Sequence, residues 1–450
     1  MSELKDIIYK IVFMGMFILT ACSVNDVQLS VEEQGRDVIN LWVAGEYEVV
    51  YHEWFDAELQ ESLSLSELRT IWEEQIEGNG EKFEIDSLKV SNRSQTIDVV
   101  EADVIFTDVF VEVRMIFNEN QQLIGFHVSD NILIFTKPDT IVEEEIIVGK
   151  GSPFELGGLL TLPKEAQEGL PAVVLVHGSG PSNRDSAIHN NKPFRDLAWS
   201  LAQQGIAVIR YDKRTYVHAN QIAQNPETFT VFEETIEDAI LATQLLRADE
   251  RIDEDNVFVI GLSLGGMLAP RIDRQGGDFA GIISLAGSPR PLWEIIVDQQ
   301  MNWLESQGFD EETTVQHKEA FKSERQKILE LQEMTAEEAK EISVHGIPGY
   351  YWRDLGRYEV NTIVSQIDKP FLILQGEEDF QVFYEIDYSL WKDVLAGHEQ
   401  ATFISYPNLN HLFMYSQGPN RGTVDEYRIQ DQVDISVIQD IGRWILEHKN

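Results

Sequence analysis

Four short segments carry the residue types that perform nucleophilic chemistry. Gly261-Leu262-Ser263-Leu264-Gly265 follows an apolar run at 257–260 and opens a helical stretch at 264–272. A serine flanked by glycines in a strand-to-helix turn has its hydroxyl pushed out of the backbone, next to the free N–H groups of a helix start. Val174-Leu175-Val176-His177-Gly178-Ser179-Gly180-Pro181 is a strand running into a glycine loop that can approach such a serine closely. Leu374-Gln375-Gly376-Glu377-Glu378-Asp379 ends another apolar strand in three neighbouring acids. Tyr406-Pro407-Asn408-Leu409-Asn410-His411-Leu412-Phe413 follows the last strand. Five histidines lie beyond Ser263: His317, His345, His398, His411 and His448. Only His411 falls in a loop between the last strand and the final helix. A serine, an imidazole and a carboxylate together suffice for acyl transfer: the base takes the serine proton and the acid orients the base.

The elements that must bring these segments together are legible from periodicity. From about residue 143 strands alternate with helices: strands at 172–176, 206–209, 257–260, 282–285, 371–374 and 402–405, helices at 194–204, 232–248, 264–272 and 433–447. An antiparallel edge pair at 146–148 and 156–162 precedes them. The alternation predicts an α/β fold with a doubly wound, mostly parallel sheet. Residues 289–369 break the rhythm with helical stretches at 292–306, 314–333 and 336–341 and no strand. Residues 23–136 read as a separate small α+β unit. Apolar spacing predicts helices at 31–51 and 66–76; period-two alternation then runs through 83–88, 97–106, 109–117 and 123–128. Residues 137–142 read as the linker, with the second unit spanning 137–450.

Composition bounds the partners. The formal net charge is −42, from 77 acidic and 35 basic residues spread along the chain. Such a surface repels phosphate backbones, so nucleic acid is not an expected partner. The chain has one cysteine, Cys22, so an internal disulfide or a dithiol metal site is excluded. No zinc spacing or phosphate-binding glycine loop is present, and the chemistry requires no cofactor. Lys5 and Lys10 precede an apolar run at 11–19, too short to span a bilayer, that ends in Leu19-Thr20-Ala21-Cys22. This resembles a lipoprotein-type signal peptide at 1–22 with a bacterial lipobox. The resemblance implies a lipid-modified Cys22 that anchors the protein on the outer, extracytoplasmic face of the cell membrane.

At the four motifs the sequence resembles bacterial α/β-hydrolases of the EstD-like serine esterase group, some of which carry an N-terminal NTF2-like domain of the DUF3887 type. The resemblance covers roughly residues 140–450. It implies Ser263 as nucleophile, Asp379 as the acid, since it holds the family's position in its loop, and His411 as the base, in the chain order of this fold. It implies an oxyanion hole from the backbone N–H groups of Ser179 and Leu264, with Gly180 as the alternative to Ser179. It further implies that 289–369 is a helical cap insertion and that the substrate is a small-molecule ester with a short acyl chain. Two departures stand out: Leu262 where a histidine is common, and Thr215-Tyr216 where a glycine-rich stretch is usual. His177 reads as a structural residue holding its loop. Arg184-Asp185 and Arg210 to Arg214 read as loop-anchoring ion pairs or substrate-facing groups. Tyr350, Tyr351 and Trp352 read as pocket lining or packing. Three functions stay open: a carboxylesterase, a serine peptidase or acyltransferase or thioesterase using the same residues, and a non-catalytic surface binding protein. No oligomeric state is read from the sequence.

Overall fold

A computed structural model describes residues 29–76, 82–94, 96–129, 131–165 and 168–449. The leader at 1–22, with Cys22, lies outside them. The chain divides into two compact units, Met1–Phe135 and Thr136–Asn450.

In the first unit, helix Val31–Val43 starts at a reciprocal cap: Glu33 N donates to Ser30 Oγ, and the Glu33 carboxylate accepts from Ser30 N. The expected single helix at 31–51 is broken at Gly45, whose φ of 78° ends the first helix before a second turn begins at Tyr47. Strands β1 (Glu84–Ser94), β2 (Ile97–Ile105), β3 (Val109–Asn118) and β4 (Leu123–Val128) form an antiparallel meander, and β5 (Ile132–Leu133) pairs with β3. A Cβ on Gly35 would sit 2.6 Å from Val100 Cγ1, so glycine lets the helix press onto the sheet. Trp42 and Trp72 stack in the core with ring centroids 5.2 Å apart.

The second unit is built on an eight-stranded sheet. Its strands are β6 (Ile141–Val148), β7 (Leu156–Pro163), β8 (Leu170–Val176), β9 (Ala207–Tyr211), β10 (Ile252–Leu262), β11 (Ile282–Leu285) and, after a small ladder of β12 (Ser343–Val344) and β13 (Ile347–Pro348), β14 (Phe371–Gly376) and β15 (Ala401–Tyr406). The order is β15-β14-β11-β10-β8-β9-β7-β6. From β9 to β15 the pairs are parallel; β7 runs antiparallel to both its neighbours. The central strands are apolar on both faces because helices cover both. Val173, Leu175, Ile260 and Ile283 pack with helices Pro193–Gln203 and Ile435–His448. Val174, Val176, Val259 and Ile282 pack with Glu237–Arg247 and Leu264–Ile272. One residue along a strand changes the face, as the pleat demands.

The segment between β11 and β14 is a helical insertion: Leu292–Gln307, Glu311–Glu333, Ala336–Lys340, Gly349–Gly356 and Val360–Val364. The expectation that it holds no strand is corrected by β12 and β13. His345 and Gly346, with φ of 55° and 72°, close them in the two-residue turn that a tight hairpin requires.

Candidate active site

Ser263 sits between β10 and helix Leu264–Ile272 with φ 56° and ψ −117°. That conformation costs a non-glycine residue about 1–3 kcal/mol and persists only where its surroundings enforce it. Here they do. Ser263 N donates to Leu285 O at 2.8 Å, and Met267 N to Ser263 O at 3.0 Å. A Cβ on Gly261 would lie 2.1 Å from Gly265 O; one on Gly265 would lie 2.3 Å from Val176 O. The turn can be this tight only with glycine at both positions.

The strands are parallel, so the loops after β8, β10, β14 and β15 leave the same edge of the sheet. The loops after β14 and β15 are locked together: Glu378 N donates to Leu409 O at 3.0 Å, and a Cβ on Gly376 would lie 2.4 Å from the same carbonyl. Across that contact the His411 Nδ1 donates to Asp379 Oδ2 at 2.8 Å, with both side chains buried. Asp379 also accepts from Gln375 Nε2 at 2.7 Å and from the N–H groups of Gln381 and Val382 at 2.8 and 2.9 Å. Nδ1 being engaged by the acid leaves Nε2 free for a second partner. The two competing acids are occupied elsewhere: Glu377 accepts from Ser405 Oγ and Glu378 pairs with Arg421.

Sequence reasoning missed the residues that hold this pair. Gln375 is one; a polar residue inside a fully buried strand was its visible signal. Asn410 is another. Its Oδ1 accepts from Leu412 N, and its Nδ2 donates to Glu426, which also accepts from Ser416 Oγ and Gly422 N. Glu426 had no local signal. The remaining histidines stand apart from the pair: His317 packs against Phe309, His345 closes the hairpin, and His398 and His448 bond to the carbonyls of Ile367 and Trp444.

Ser263, Leu264, Ser179 and Gly180 line one cavity of about 740 Å³, together with Gln381 and Val382, whose amides hold Asp379. The insertion supplies Leu292, Ile295, Ile296, Tyr351 and Trp352 to its wall; Met267 and Phe229 continue the apolar lining. Tyr351 and Trp352 thus both line the pocket and pack, while Tyr350 lies under Lys340. Gly178 lies close enough to the serine that a Cβ there would be 3.2 Å from Ser263 Cβ.

The loop after β8 is anchored as its charges suggested. The His177 ring packs against Phe194 and Tyr211, and its Nε2 bonds to Asn183 O at 3.0 Å. Burial, reinforced by the charge of Lys213, drops its pKa to about 3, so it is neutral and donates from Nε2. Arg184 pairs with Asp212 at 2.7 Å, Arg210 with Asp185 and Glu143 at 3.0 and 2.7 Å, and Arg214 with Glu237 and Asp238 at 2.6 and 2.5 Å. None of these arginines lines the cavity; from that stretch the cavity takes Thr215.

A doubly wound sheet with a strained serine after one central strand, and an acid–imidazole pair bridging the loops after β14 and β15, defines the α/β-hydrolase class. Residues 173–425 match the family described as "Alpha/beta hydrolase family", and the chain belongs to it. Residues 36–126 match a family described as a protein of unknown function, DUF3887. Esterase EstD of Thermotoga maritima is 36% identical over 314 residues, covering 70% of this chain and 69% of that one. The chain is therefore a hydrolase enzyme of the EstD-like esterase group. Among solved structures, Est1E from Butyrivibrio proteoclasticus is 15% identical with a TM-score of 0.43, covering 68% of this chain and 98% of that one. A Pyrococcus furiosus esterase is 12% identical with a TM-score of 0.44, covering 70% and 95%.

Proposed function

We propose that the chain is a serine carboxylic ester hydrolase that cleaves short-chain acyl esters through an acyl-enzyme on Ser263. The observation that carries this reading is the strained Ser263 turn, which shares its cavity with the loop that holds the Asp379–His411 pair. His411 Nε2 takes the proton as Ser263 Oγ attacks the ester carbonyl, and Asp379 holds the imidazole and stabilises the imidazolium. The developing oxyanion is received by the N–H groups of Ser179 and Leu264. Each such donor is worth about 10²–10³ in kcat. His411 returns the proton to the leaving alcohol, and water, activated by the same imidazole, frees the acid.

The test is turnover of p-nitrophenyl acetate and butyrate together with fluorophosphonate labelling. Wild-type protein is labelled and active; Ser263→Ala abolishes labelling and lowers kcat by about 10⁵ or more with the fold intact. An active, unlabelled protein, or an unimpaired Ser263→Ala, ends the reading. Labelling without turnover of any ester would move the reading to amide or acyl-transfer substrates. Anchorage through Cys22 belongs to the same proposal. Metabolic labelling with a tritiated fatty acid would be lost in Cys22→Ser, and the enzyme would leave the membrane fraction.

A further inference from the structure

Lys213 is 2% exposed, and the three N–H bonds of its ammonium meet three acceptors. Nζ donates to Gly178 O at 2.7 Å and to Gly180 O at 3.1 Å, and pairs with the Glu234 carboxylate at 2.6 Å. The first of these bonds has a chemical consequence. The carbonyl of Gly178 and the N–H of Ser179 belong to one planar peptide group, in which they point in opposite directions. A cation fixed on the oxygen therefore sets the direction of the N–H. It also draws electron density from that N–H and makes it a stronger donor, an effect enhanced by burial. The peptide that carries the Gly180 N–H has its own carbonyl on Ser179, which Lys213 does not touch.

Glu234 carries the contact further. Its carboxylate accepts from Tyr351 Oη at 2.5 Å, and Tyr351 belongs to helix Gly349–Gly356 of the insertion. Burial and the nearby carboxylate both raise the Tyr351 pKa, so it stays a phenol donor. All three side chains are buried, and Glu234 and Tyr351 line the cavity that holds Ser263.

We infer that Lys213 is the positioning residue of the oxyanion hole: it aims and polarises the Ser179 N–H, and Glu234 and Tyr351 link its position to the insertion above the site. This rests on the esterase reading and selects Ser179 over Gly180 as the donor. Lys213 touches neither substrate nor Ser263; it acts through one peptide group.

The experiment is steady-state ester hydrolysis by Lys213→Met, Lys213→Arg and Tyr351→Phe, alongside affinity for a trifluoromethyl ketone, which forms a tetrahedral oxyanion on the nucleophile. Wild-type labelling by a fluorophosphonate first establishes the serine reading, so its failure is separable from failure of the present inference. For Lys213→Met, kcat falls about 10- to 100-fold and KM changes less than about threefold, a part of what losing one donor outright would cost. Ketone affinity falls by the same factor as kcat, and Lys213→Arg recovers a measurable share of both. A folded Lys213→Met with kcat and ketone affinity within twofold of wild type overturns the inference, as does a fall in kcat that leaves ketone affinity untouched. Should Lys213→Met not fold, Tyr351→Phe decides. It keeps the ion pair and removes one hydroxyl; parallel severalfold losses in kcat and ketone affinity support the link, and no change in either overturns it.

Discussion

The rim of the sheet around Ser263 and the acid–histidine loops, and the helices Leu292–Gln307 and Glu311–Glu333 of the insertion above it, are held by different means. At the rim, main chain meets main chain: glycines let backbone approach backbone at positions 261, 265 and 376, and the loops after β14 and β15 are hydrogen-bonded to each other. In the insertion, helices are tethered by side chains, Arg271 to Asp354, Arg290 to Asp298, Arg325 to Glu294, and the 23-residue helix Glu311–Glu333 buries only Ile328 and Leu331. The difference follows from what each must do. A proton passes only across hydrogen-bond distances, so the rim tolerates no drift. Apart from Tyr351, which bonds to Glu234, the insertion's wall of the cavity has only to exclude water and leave room.

Asp379→Asn sharpens that contrast most. The Oδ1 side of the carboxylate faces two amide donors, so the asparagine carbonyl must stay there and its NH₂ must turn toward His411 and Gln375. The imidazole would then accept at Nδ1 and carry its proton on Nε2, the wrong tautomer for a base. We expect kcat to fall about 10⁴-fold with little change in KM, and the melting temperature to fall modestly, since the new NH₂ faces the donating Gln375 amide. A loss under tenfold would mean that the rim geometry is not what sets the rate.

Gly265→Ala attacks the same region through its backbone. The new Cβ would meet Val176 O at 2.3 Å and His177 O at 2.8 Å, both main-chain atoms that cannot swing aside. Urea unfolding should register a loss of about 3 kcal/mol or more, at the upper end of overpacking costs. Full retention of stability would show that the turn can open, against the closure seen at the rim.

His177 gives the rim a pH dependence. Its pKa is about 3 in the fold against 6.5 when exposed. Between these values the unfolded chain binds a proton that the folded one does not, so this residue's contribution is complete above pH 6.5 and is lost as the pH falls toward 3. From pH 6.5 to 4.5 the loss is about 2–3 kcal/mol, at 1.36 kcal/mol per unit. Urea midpoints at the two pH values should therefore drop less in His177→Asn than in wild type. Equal drops would mean that the imidazole is hydrated in the folded protein.

How much of this was legible in the sequence divides along the same line. The serine turn, the acid loop and the histidine loop announce themselves because tight backbone needs glycine beside the reacting residue, and that leaves a local pattern. The strands under them are apolar runs, which mark their places along the chain but not their order in the sheet. What supports the site from a distance leaves no such mark. Glu234 reaches Lys213 across 21 positions, and Glu426 reaches Asn410 across 16; neither pairing follows from periodicity. Gln375 differs, since a lone amide in a buried strand is visible once its burial is known. In the insertion the helices were legible, but β12 and β13, at two residues each, are too short to display an alternation. In the first unit, Gly45 divided a stretch whose apolar spacing continued straight through it.

The mildest variant is the one that tests the insertion itself. Arg325 Nη2 lies 2.6 Å from Glu294, joining helices Leu292–Gln307 and Glu311–Glu333, yet both side chains remain partly exposed. Water and salt screen such a pair, and ordering two long side chains offsets much of the attraction, so Arg325→Ala should cost under about 1 kcal/mol. Glu294 shares its helix with Ile295 and Ile296 of the cavity wall. Loosening that helix should therefore appear in KM, by less than about threefold and more for bulky acyl groups than for acetate, while kcat on acetate holds. If Arg325→Ala instead lowered kcat on acetate as the rim variants do, helices Leu292–Gln307 and Glu311–Glu333 would join Tyr351 in the catalytic geometry, and the division between a rigid rim and a tethered cover would fail.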